Sequence, residues 1–368
     1  MKIGIMVLSV GTFGKKGFYN LQEIGLAKAL DSYFDKVNVY KLVPKSEKEI
    51  TERIDGTKNC FISYMPSKCI GTNGIPEMNK IDTGLEALIC FSDTQLMLPR
   101  VFRWTQRYNI PLFPYIGVVE SHSNNLFKKT VIDILFRRNV SVYKKCQCLV
   151  KTSSVKDCLA KININSTTVV PVGLDIDLLH SETEEGCAPD LKKKYGYQKA
   201  DKVILFIGRF IDEKQPVRMV DIFSKLISKD SSFRLLMVGK GDLKGAVDNR
   251  IKEFGLQDSV KIIESIPNSE IWELYKLADA FVNLNQQEIF GMAILEAMYY
   301  GCKVVAWHAP GPDMIIENGV NGVLCQSDLE VVEGVYKKAI SHIDAKQRVI
   351  NNFTWNASAK IVYSTIQK

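Results

Sequence analysis

The chain has 368 residues, 46% of them hydrophobic and 24% charged, with nine cysteines and a formal net charge of +7 at pH 7. This composition is typical of a folded globular protein and excludes a disordered chain. The length predicts two domains with a cleft between them, where small ligands tend to bind. The opening apolar run, Ile3–Leu8, is too short for a membrane span or a signal peptide. Cysteines without a CxxC pair indicate buried, reduced thiols in a cytoplasmic protein.

Positive charge is concentrated in the first half of the chain. Residues 1–175 have a net charge of +9, and residues 100–161 contain 12 basic and 3 acidic side chains. Within that segment, residues 126–138 place an apolar stripe at helical spacing between paired cations. Two explanations fit this pattern. One is a core-facing helix with a solvated basic edge. The other is contact with an anionic membrane surface or a phosphorylated acceptor. The excess is local and carries no recognition motif, so nucleic-acid binding is not predicted.

Short β-branched runs alternate with longer amphipathic stretches, which predicts parallel sheets joined by crossover helices. The first series has a helix at 21–30 and strands at 2–8, 36–42, 85–91, 114–119, 149–152 and 168–173. A polar stretch at 177–201 precedes a second series of strands at 203–208, 234–239, 260–263, 280–283 and 304–307. The predicted fold class is α/β, with two Rossmann-like doubly wound domains facing a central cleft.

The loop after the first strand contains Gly11, Gly14 and Gly17. Their GxxGxxG spacing matches neither the GxGxxG of dinucleotide-binding folds nor a P-loop. Glycines before a helix allow the backbone to approach an anionic ligand, although a plain tight turn explains them equally well.

The most informative segment follows the fourth strand of the second series. It places Glu288 in a loop and Glu296 inside the next helix, an E-x7-E pattern in which each carboxylate suits a vicinal diol. The helix is predicted to open near Phe290. The amides of Phe290, Gly291 and Met292 would then favour a diphosphate or sugar hydroxyls.

Two cations occupy the corresponding position after the first strand of this series. Arg209 and Lys214 are five residues apart at a predicted carboxyl edge of the sheet. Cations placed there would neutralise a departing diphosphate.

Together these residues resemble the retaining, nucleotide-sugar-dependent glycosyltransferases of the GT-B fold, of the family 4 or group 1 type. The resemblance covers essentially the whole chain. It consists of the GR-x4-K element, the GxG at 239–241, the E-x7-E, Gly311 with Asp313, and Asn321-Gly322, in the family's order.

The resemblance implies three parts. Residues 1–180 would form an acceptor-binding domain, and residues 181–352 would form a nucleotide-sugar-binding domain. Residues 353–368 would form a helix that crosses back to the first domain. The implied reaction transfers a hexosyl or N-acetylhexosaminyl group to an acceptor hydroxyl in cell-surface polysaccharide or glycoconjugate biosynthesis.

The resemblance also implies roles for individual residues. Arg209 and Lys214 would bind the diphosphate and stabilise it as it leaves. Glu288 would hold donor-sugar hydroxyls beside the amides of the following loop, and Glu296 would hold the ribose.

Two first-domain residues are also implied in the site, and the chain departs from the family pattern at four positions, among them Asn285 and Gln286, which replace the usual Pro-Ser before the first acid. His122 would lie close to the donor sugar, although a structural role is equally consistent. Gly17 would approach the phosphates from the opposite domain. Gln215 and Ile289 replace the glycines that usually follow the lysine and the first acid.

The expected donor is a UDP-sugar, with a GDP-sugar as the alternative, and neither a tightly bound cofactor nor a metal is expected. The expected acceptor is a glycan or a lipid-linked molecule, reached in the cytoplasm or at the inner face of the membrane. Two other functions remain open at this point. They are a nucleotide-sugar epimerase or hydrolase on the same scaffold, and a catalytically silent homologue that binds a glycan or a partner.

Overall fold

The structure is a computed structural model that describes residues 1–10, 21–93, 95–119, 126–179, 188–336 and 340–368. Gly17 and His122 lie outside these described residues. Contacts within the chain define two compact units, Met1–Asp175 together with Phe353–Lys368, and Ile176–Asn352. The division falls a few residues before the predicted boundary at 180, and the last residues belong to the first unit.

The first unit is built from strands, crossover helices and a C-terminal helix. Its strands are β1 (Lys2–Val7), β2 (Lys36–Pro44), β3 (Ile50–Arg53), β4 (Cys60–Ser67), β5 (Cys69–Ile70), β6 (Asn73–Gly74), β7 (Ala87–Phe91), β8 (Leu112–Ile116), β9 (Cys148–Val150) and β10 (Thr167–Val169). Its helices are α1 (Gln22–Leu30), α2 (Leu98–Arg107), α3 (Leu126–Tyr143), α4 (Ser153–Ala160) and α13 (Trp355–Ile366).

The main sheet of the first unit has the strand order β10-β9-β8-β7-β1-β2-β4-β3. Its neighbours pair in parallel except for β3 and β4. Central β1 is an almost continuous apolar run because helices cover both faces of a parallel sheet. Since β2 and β7 flank β1 on opposite sides, the order reverses at β1, which is where ligand crevices form in such sheets.

The sequence pattern did not predict strands β3 to β6. Strand β3 is mostly exposed, and β5 and β6 have two residues each, so none of them has an apolar pattern to detect. Strand β4 contains Pro66 and two serines, yet it pairs along its whole length with β2. Tertiary pairing therefore overrides weak local propensity here.

The second unit follows the same plan. Its strands are β11 (Lys202–Ile207), β12 (Phe233–Val238), β13 (Val260–Ile263), β14 (Ala280–Asn283), β15 (Lys303–Trp307) and β16 (Val323–Cys325). Its helices are α5 (Ala188–Lys194), α6 (Pro216–Lys229), α7 (Lys244–Glu253), α8 (Ile271–Leu277), α9 (Met292–Tyr299), α10 (Pro310–Ile315), α11 (Asp328–Tyr336) and α12 (His342–Asn352).

The sheet of the second unit has the order β13-β12-β11-β14-β15-β16, and every pair is parallel. The order reverses between β11 and β14, so the loops after these two strands leave the same carboxyl edge at the switch point. Those loops contain Arg209 and Glu288. Among the helices in the described ranges, none is long and apolar enough to span a membrane.

Candidate functional site

The loop after β11 is fixed by close contact with a second loop. Phe210 is fully buried, and its amide donates to the carbonyl of Lys240 at 2.9 Å. A Cβ on Gly239 would lie 1.9 Å from the carbonyl oxygen of Gly208, and both Gly239 and Gly241 have strongly positive φ. Only glycine fits such an approach, which explains the GxG. The anchored loop leaves the Arg209 side chain exposed.

Lys214 lies at the end of the same loop, in a short 3-10 turn, Asp212–Lys214. Its ammonium contacts Oε2 of Glu288 at 2.6 Å. The two side chains are 26% and 17% exposed, so they pair at a partly covered surface that a ligand can reach. The structure thus brings together two predicted residues that are 74 positions apart.

Two asparagines also donate to Oε2 of Glu288. Nδ2 of Asn285 lies at 3.2 Å and Nδ2 of Asn283 at 3.4 Å, and both residues are buried. Asn283 is the last residue of β14, and its Oδ1 accepts from the amide of Asn285. Sequence reasoning missed both, although a polar Asn-x-Asn at the end of an apolar strand is a detectable signal.

The main chain around Glu288 is fixed as well. The Glu288 carbonyl accepts from the amide of Gly311 at 2.9 Å, and a Cβ on Gly311 would lie 2.0 Å from the carbonyl oxygen of Phe290. The family glycine at 311, in the first turn of α10, therefore allows the segment after β15 to pack against the loop after β14. His308 in that segment, which sequence reasoning also missed, pairs with Asp313 at 2.7 Å.

Helix α9 begins at Met292, two residues later than predicted. Gly291 precedes it with φ +103°, a left-handed conformation that glycine adopts without a steric penalty. The amide of Met292 is therefore at the first helical position, while those of Phe290 and Gly291 belong to the preceding loop. Of the three amides predicted to favour an anion at the helix start, only that of Met292 is therefore part of the helix.

Glu296 lies just over one turn inside α9. It is 5% exposed, and the hydroxyl of Tyr275 in α8 donates to its Oε2 at 2.8 Å. The interaction orients a buried carboxylate. Sequence reasoning did not identify Tyr275, because nothing in the local pattern of α8 marks it as a partner of α9.

Within the parts of the chain that the structure describes, no three His, Cys, Asp or Glu side chains are grouped as metal ligands would be. The expectation that transfer requires no metal stays a prediction.

The comparisons with known proteins agree with this geometry. The sequence model of the family described as Glycosyl transferases group 1 matches residues 188–351. An uncharacterized glycosyltransferase of Methanocaldococcus jannaschii is 24% identical over 62% of this chain and 60% of its own. The alpha-monoglucosyldiacylglycerol synthase of Streptococcus pneumoniae is 23% identical over 56% of this chain and 47% of its own. The chain thus spans about half to three fifths of these relatives.

The fold is also that of a solved structure. Anabaena HepE in complex with UDP and glucose has a TM-score of 0.71 at 17% identity, and the match covers 100% of this chain and 99% of HepE. The two parallel α/β units and the site at the switch point of the second define a protein of the GT-B class. Over residues 188–351 the second unit of the chain resembles the group 1 glycosyltransferases of that class. The predicted resemblance to group 1 glycosyltransferases and the predicted α/β fold class are confirmed.

Proposed function

We propose that the chain is a retaining glycosyltransferase that moves a hexosyl or N-acetylhexosaminyl group from a nucleoside-diphosphate sugar to an acceptor hydroxyl. The observation that carries the proposal is the 2.6 Å contact between Lys214 and Glu288. A cation suited to a diphosphate lies directly beside a carboxylate suited to sugar hydroxyls. In a sugar nucleotide the diphosphate and the sugar are adjacent in the same way.

Glu288 has the role of a fixed hydrogen-bond acceptor. Because Lys214, Asn283 and Asn285 all donate to Oε2, we expect hydroxyls of the donor sugar at Oε1. Glu296, oriented by Tyr275, would accept from the ribose in the same manner.

In the proposed reaction, the acceptor hydroxyl oxygen attacks the anomeric carbon on the face from which the diphosphate leaves. The bond from that carbon to the diphosphate oxygen breaks, and its electron pair passes to the diphosphate. The diphosphate then takes the proton of the acceptor hydroxyl. Arg209 and Lys214 would stabilise the negative charge that develops on it. The roles of His122 and Gly17 follow from the family resemblance alone.

The donor class is tested by thermal shift with UDP, GDP, ADP, CMP and dTDP, and then with sugar nucleotides, without added metal. The favoured donor is a UDP-sugar, and the HepE complex with UDP supports this choice. We expect one nucleoside diphosphate to stabilise the protein, by about 2.7 kcal/mol at a hundredfold excess over Kd. The effect should disappear in Arg209→Ala. Stabilisation by none of them would favour the silent homologue.

The catalytic assignment is tested by Glu288→Ala. We expect loss of transfer with an unchanged circular dichroism spectrum, because the donor sugar loses its acceptor group. Glu333→Ala, which removes an exposed acid on α11, is the matched control and should transfer normally. A folded, active Glu288→Ala variant would remove Glu288 from the site. NMR of the product would show retention or inversion, and free sugar or an epimer as the only product would identify a hydrolase or an epimerase.

The first unit supports a lipid-linked acceptor at an anionic membrane surface. Helices α2 and α3 contact each other, and their exposed side chains include Arg100, Arg103, Arg107, Arg137 and Arg138. Ile134 on α3 is 60% exposed beside these cations. The combination of exposed aliphatic and basic side chains suits an anionic interface. The relative named alpha-monoglucosyldiacylglycerol synthase supports a lipid acceptor.

Vesicle flotation tests the membrane part. We expect binding to phosphatidylglycerol vesicles but not to phosphatidylcholine vesicles, with loss in high salt because surface charges are screened. Ile134→Asp should weaken binding. Ile343→Asp, at an 81% exposed isoleucine of the second unit, should not. Absence of binding to either vesicle would favour a water-soluble glycan as acceptor.

A further inference from the structure

Gln286 forms the corner of the turn that contains Glu288, and its side chain is bound from outside that turn. Oriented with its oxygen towards the donors, the Gln286 carboxamide accepts from Nη1 of Arg218 at 3.1 Å and from Nε1 of Trp307 at 3.2 Å. Gln286 is an exposed residue, so its side chain would otherwise sample many rotamers. Two donors on one oxygen restrict it to a single position.

Arg218 is itself fixed by two further contacts. Its guanidinium carbon lies 4.1 Å from the centroid of the Trp307 ring, which is a cation–π stack. Its Nε donates to Oδ1 of Asp328, the first residue of α11, at 2.8 Å. A planar guanidinium that is stacked and ion-paired has little orientational freedom, so it is a rigid donor to Gln286.

The turn transmits the position of Gln286 to Glu288. The carbonyl of Asn285 accepts from the amide of Glu288 at 3.4 Å, and Oδ1 of Asn285 accepts from the amide of Gln287 at 3.0 Å. Asn285 also donates to the Glu288 carboxylate. A displacement of Gln286 therefore moves both the backbone of Glu288 and one donor to its carboxylate.

We propose that Arg218, stacked on Trp307, is a positioning residue that holds the Glu288 carboxylate against Lys214 by way of Gln286. Arg218 lies in the first turn of α6, and Lys214 lies just before that helix. The segment 214–218 thus contacts the turn at two points. Lys214 pairs with the carboxylate of Glu288, and Arg218 donates to Gln286 at the corner of the turn. The inference rests on the proposed function, in which Glu288 receives the donor sugar and Arg209 and Lys214 receive the diphosphate.

The test variant is Arg218→Met, which keeps an unbranched stem but removes the donors and the charge. Two quantities are measured: the Kd of UDP and of UDP-glucose by calorimetry, and amide exchange of residues 285–291 without ligand. We expect the Kd of UDP-glucose to rise about tenfold, which corresponds to a lost charge-assisted hydrogen bond, while that of UDP changes less than about twofold. Amide exchange in the turn should become faster.

Arg250→Met is the matched control. Arg250 also lies in the second unit, pairs with Asp221 and Glu253, and lies over the ring of Phe254. None of these partners is in the turn. We expect both Kd values and the exchange of 285–291 to stay as in the wild type, even if stability falls.

A double-mutant cycle separates positioning from general destabilisation. Gln286→Leu should reproduce the UDP-glucose effect of Arg218→Met. The double variant should be no weaker than either single variant, because both act through one contact. Additive losses, or equal losses for UDP and UDP-glucose, would overturn the proposal.

The amide-exchange measurement keeps this inference separate from the proposed function. A wild type that binds neither UDP nor UDP-glucose would count against the proposed function with this donor. Faster amide exchange of 285–291 in Arg218→Met would still support the positioning role of Arg218. Unchanged amide exchange of this turn in Arg218→Met would overturn the positioning role of Arg218, whichever nucleotide the protein binds.

Discussion

Gln215 shows at the scale of one residue what a departure from the family pattern costs. It has φ +57° at the position before α6, where the family usually has glycine. The left-handed region costs a residue with a Cβ about 1–2 kcal/mol. Its side chain donates to the carbonyl of Asp212 at 2.6 Å, which offsets part of that cost.

We expect Gln215→Gly to have a higher free energy of unfolding than Gln215→Ala, by about 1 kcal/mol, because only alanine retains the strain. Urea denaturation measures the difference. At Gln347, an exposed residue inside α12, the order should reverse, with alanine better than glycine by about 1 kcal/mol. The same order at both sites would show that the strain at 215 has no energetic weight.

The thiols should differ in reactivity according to their burial. Burial raises the pKa of Cys146 to about 12, and it raises the pKa of Cys60, Cys90 and Cys148 further. These groups stay protonated at pH 8, whereas the attacking species is the thiolate. Cys69 is exposed on the short β5 strand.

We therefore expect Cys69 to react fastest with Ellman's reagent at pH 8 among the described cysteines. The measurement uses a Cys187→Ser background, since Cys187 lies outside the described residues. Adding Cys69→Ser should remove the fast phase, and urea should restore reaction of the buried thiols. A fast phase that survives both Cys69→Ser and Cys158→Ser, which removes the partly exposed Cys158, would contradict the burial of the remaining described thiols.

At the scale of elements, the C-terminal helix packs against α1 through a position that only glycine fits. A Cβ on Gly25 in α1 would lie 2.2 Å from Nε1 of Trp355, the first residue of α13. The aromatic ring of Tyr363 further along α13 lies 4.9 Å from that of Tyr33. The helix is thus an integral part of the first unit.

We expect Gly25→Ala to lower the free energy of unfolding by about 1–3 kcal/mol through overpacking against Trp355. Gly245→Ala, in helix α7 with open space around the added Cβ, should be neutral or stabilising by up to about 1 kcal/mol. Thermal or urea unfolding of the two variants provides the comparison. A neutral Gly25→Ala variant would mean that α13 can shift away from α1 at no cost.

At the scale of elements, a strand could be predicted where its own short stretch of sequence is an apolar run. Strands β1, β11 and β14 are mostly buried apolar runs, as expected of strands covered by helices on both faces, so the local sequence suffices to locate them. The start of α9 was placed two residues early, because the E-x7-E does not reveal that Gly291 adopts a left-handed conformation.

At the scale of the whole molecule, charge is divided between the two units. The first unit, residues 1–175 and 353–368, has a net charge of +11, while the second unit, residues 176–352, has a net charge of −4. The proposed anionic partners of the chain differ accordingly. A membrane surface would meet the exposed arginines of α2 and α3, whereas a diphosphate would meet the local pair Arg209 and Lys214 in a unit without a basic excess.

Hydrogen exchange with and without UDP tests where the nucleotide binds. We expect the largest loss of exchange at 208–214 and 285–296, because bound ligand stabilises the segments that it contacts. Protection within residues 11–20 as well would support the role proposed for Gly17. In Arg209→Ala these changes should vanish. Protection confined to the first unit would contradict the assignment of the nucleotide site.

The sequence by itself determined the fold class of this protein and indicated the charged residues of its proposed site. Arg209, Lys214, Glu288 and Glu296 stand at fixed spacings next to strand ends, and such spacings are local properties of the chain. Parallel strands end at one edge, so their proximity could be inferred before the structure. The strand ends can be located from the sequence because helices cover both faces of a parallel sheet. Its central strands are therefore apolar on both faces and read as short apolar runs.

Only the tertiary structure decided which neighbours hold those residues. Arg218 reaches Asp328 across 110 positions, and it reaches Gln286 and Trp307 from other elements. No local pattern encodes such contacts, because side chains on separate elements meet only after the sheet order is fixed. The physical reason is that hydrogen bonds and stacking act over a few ångströms of space, whatever the separation along the chain.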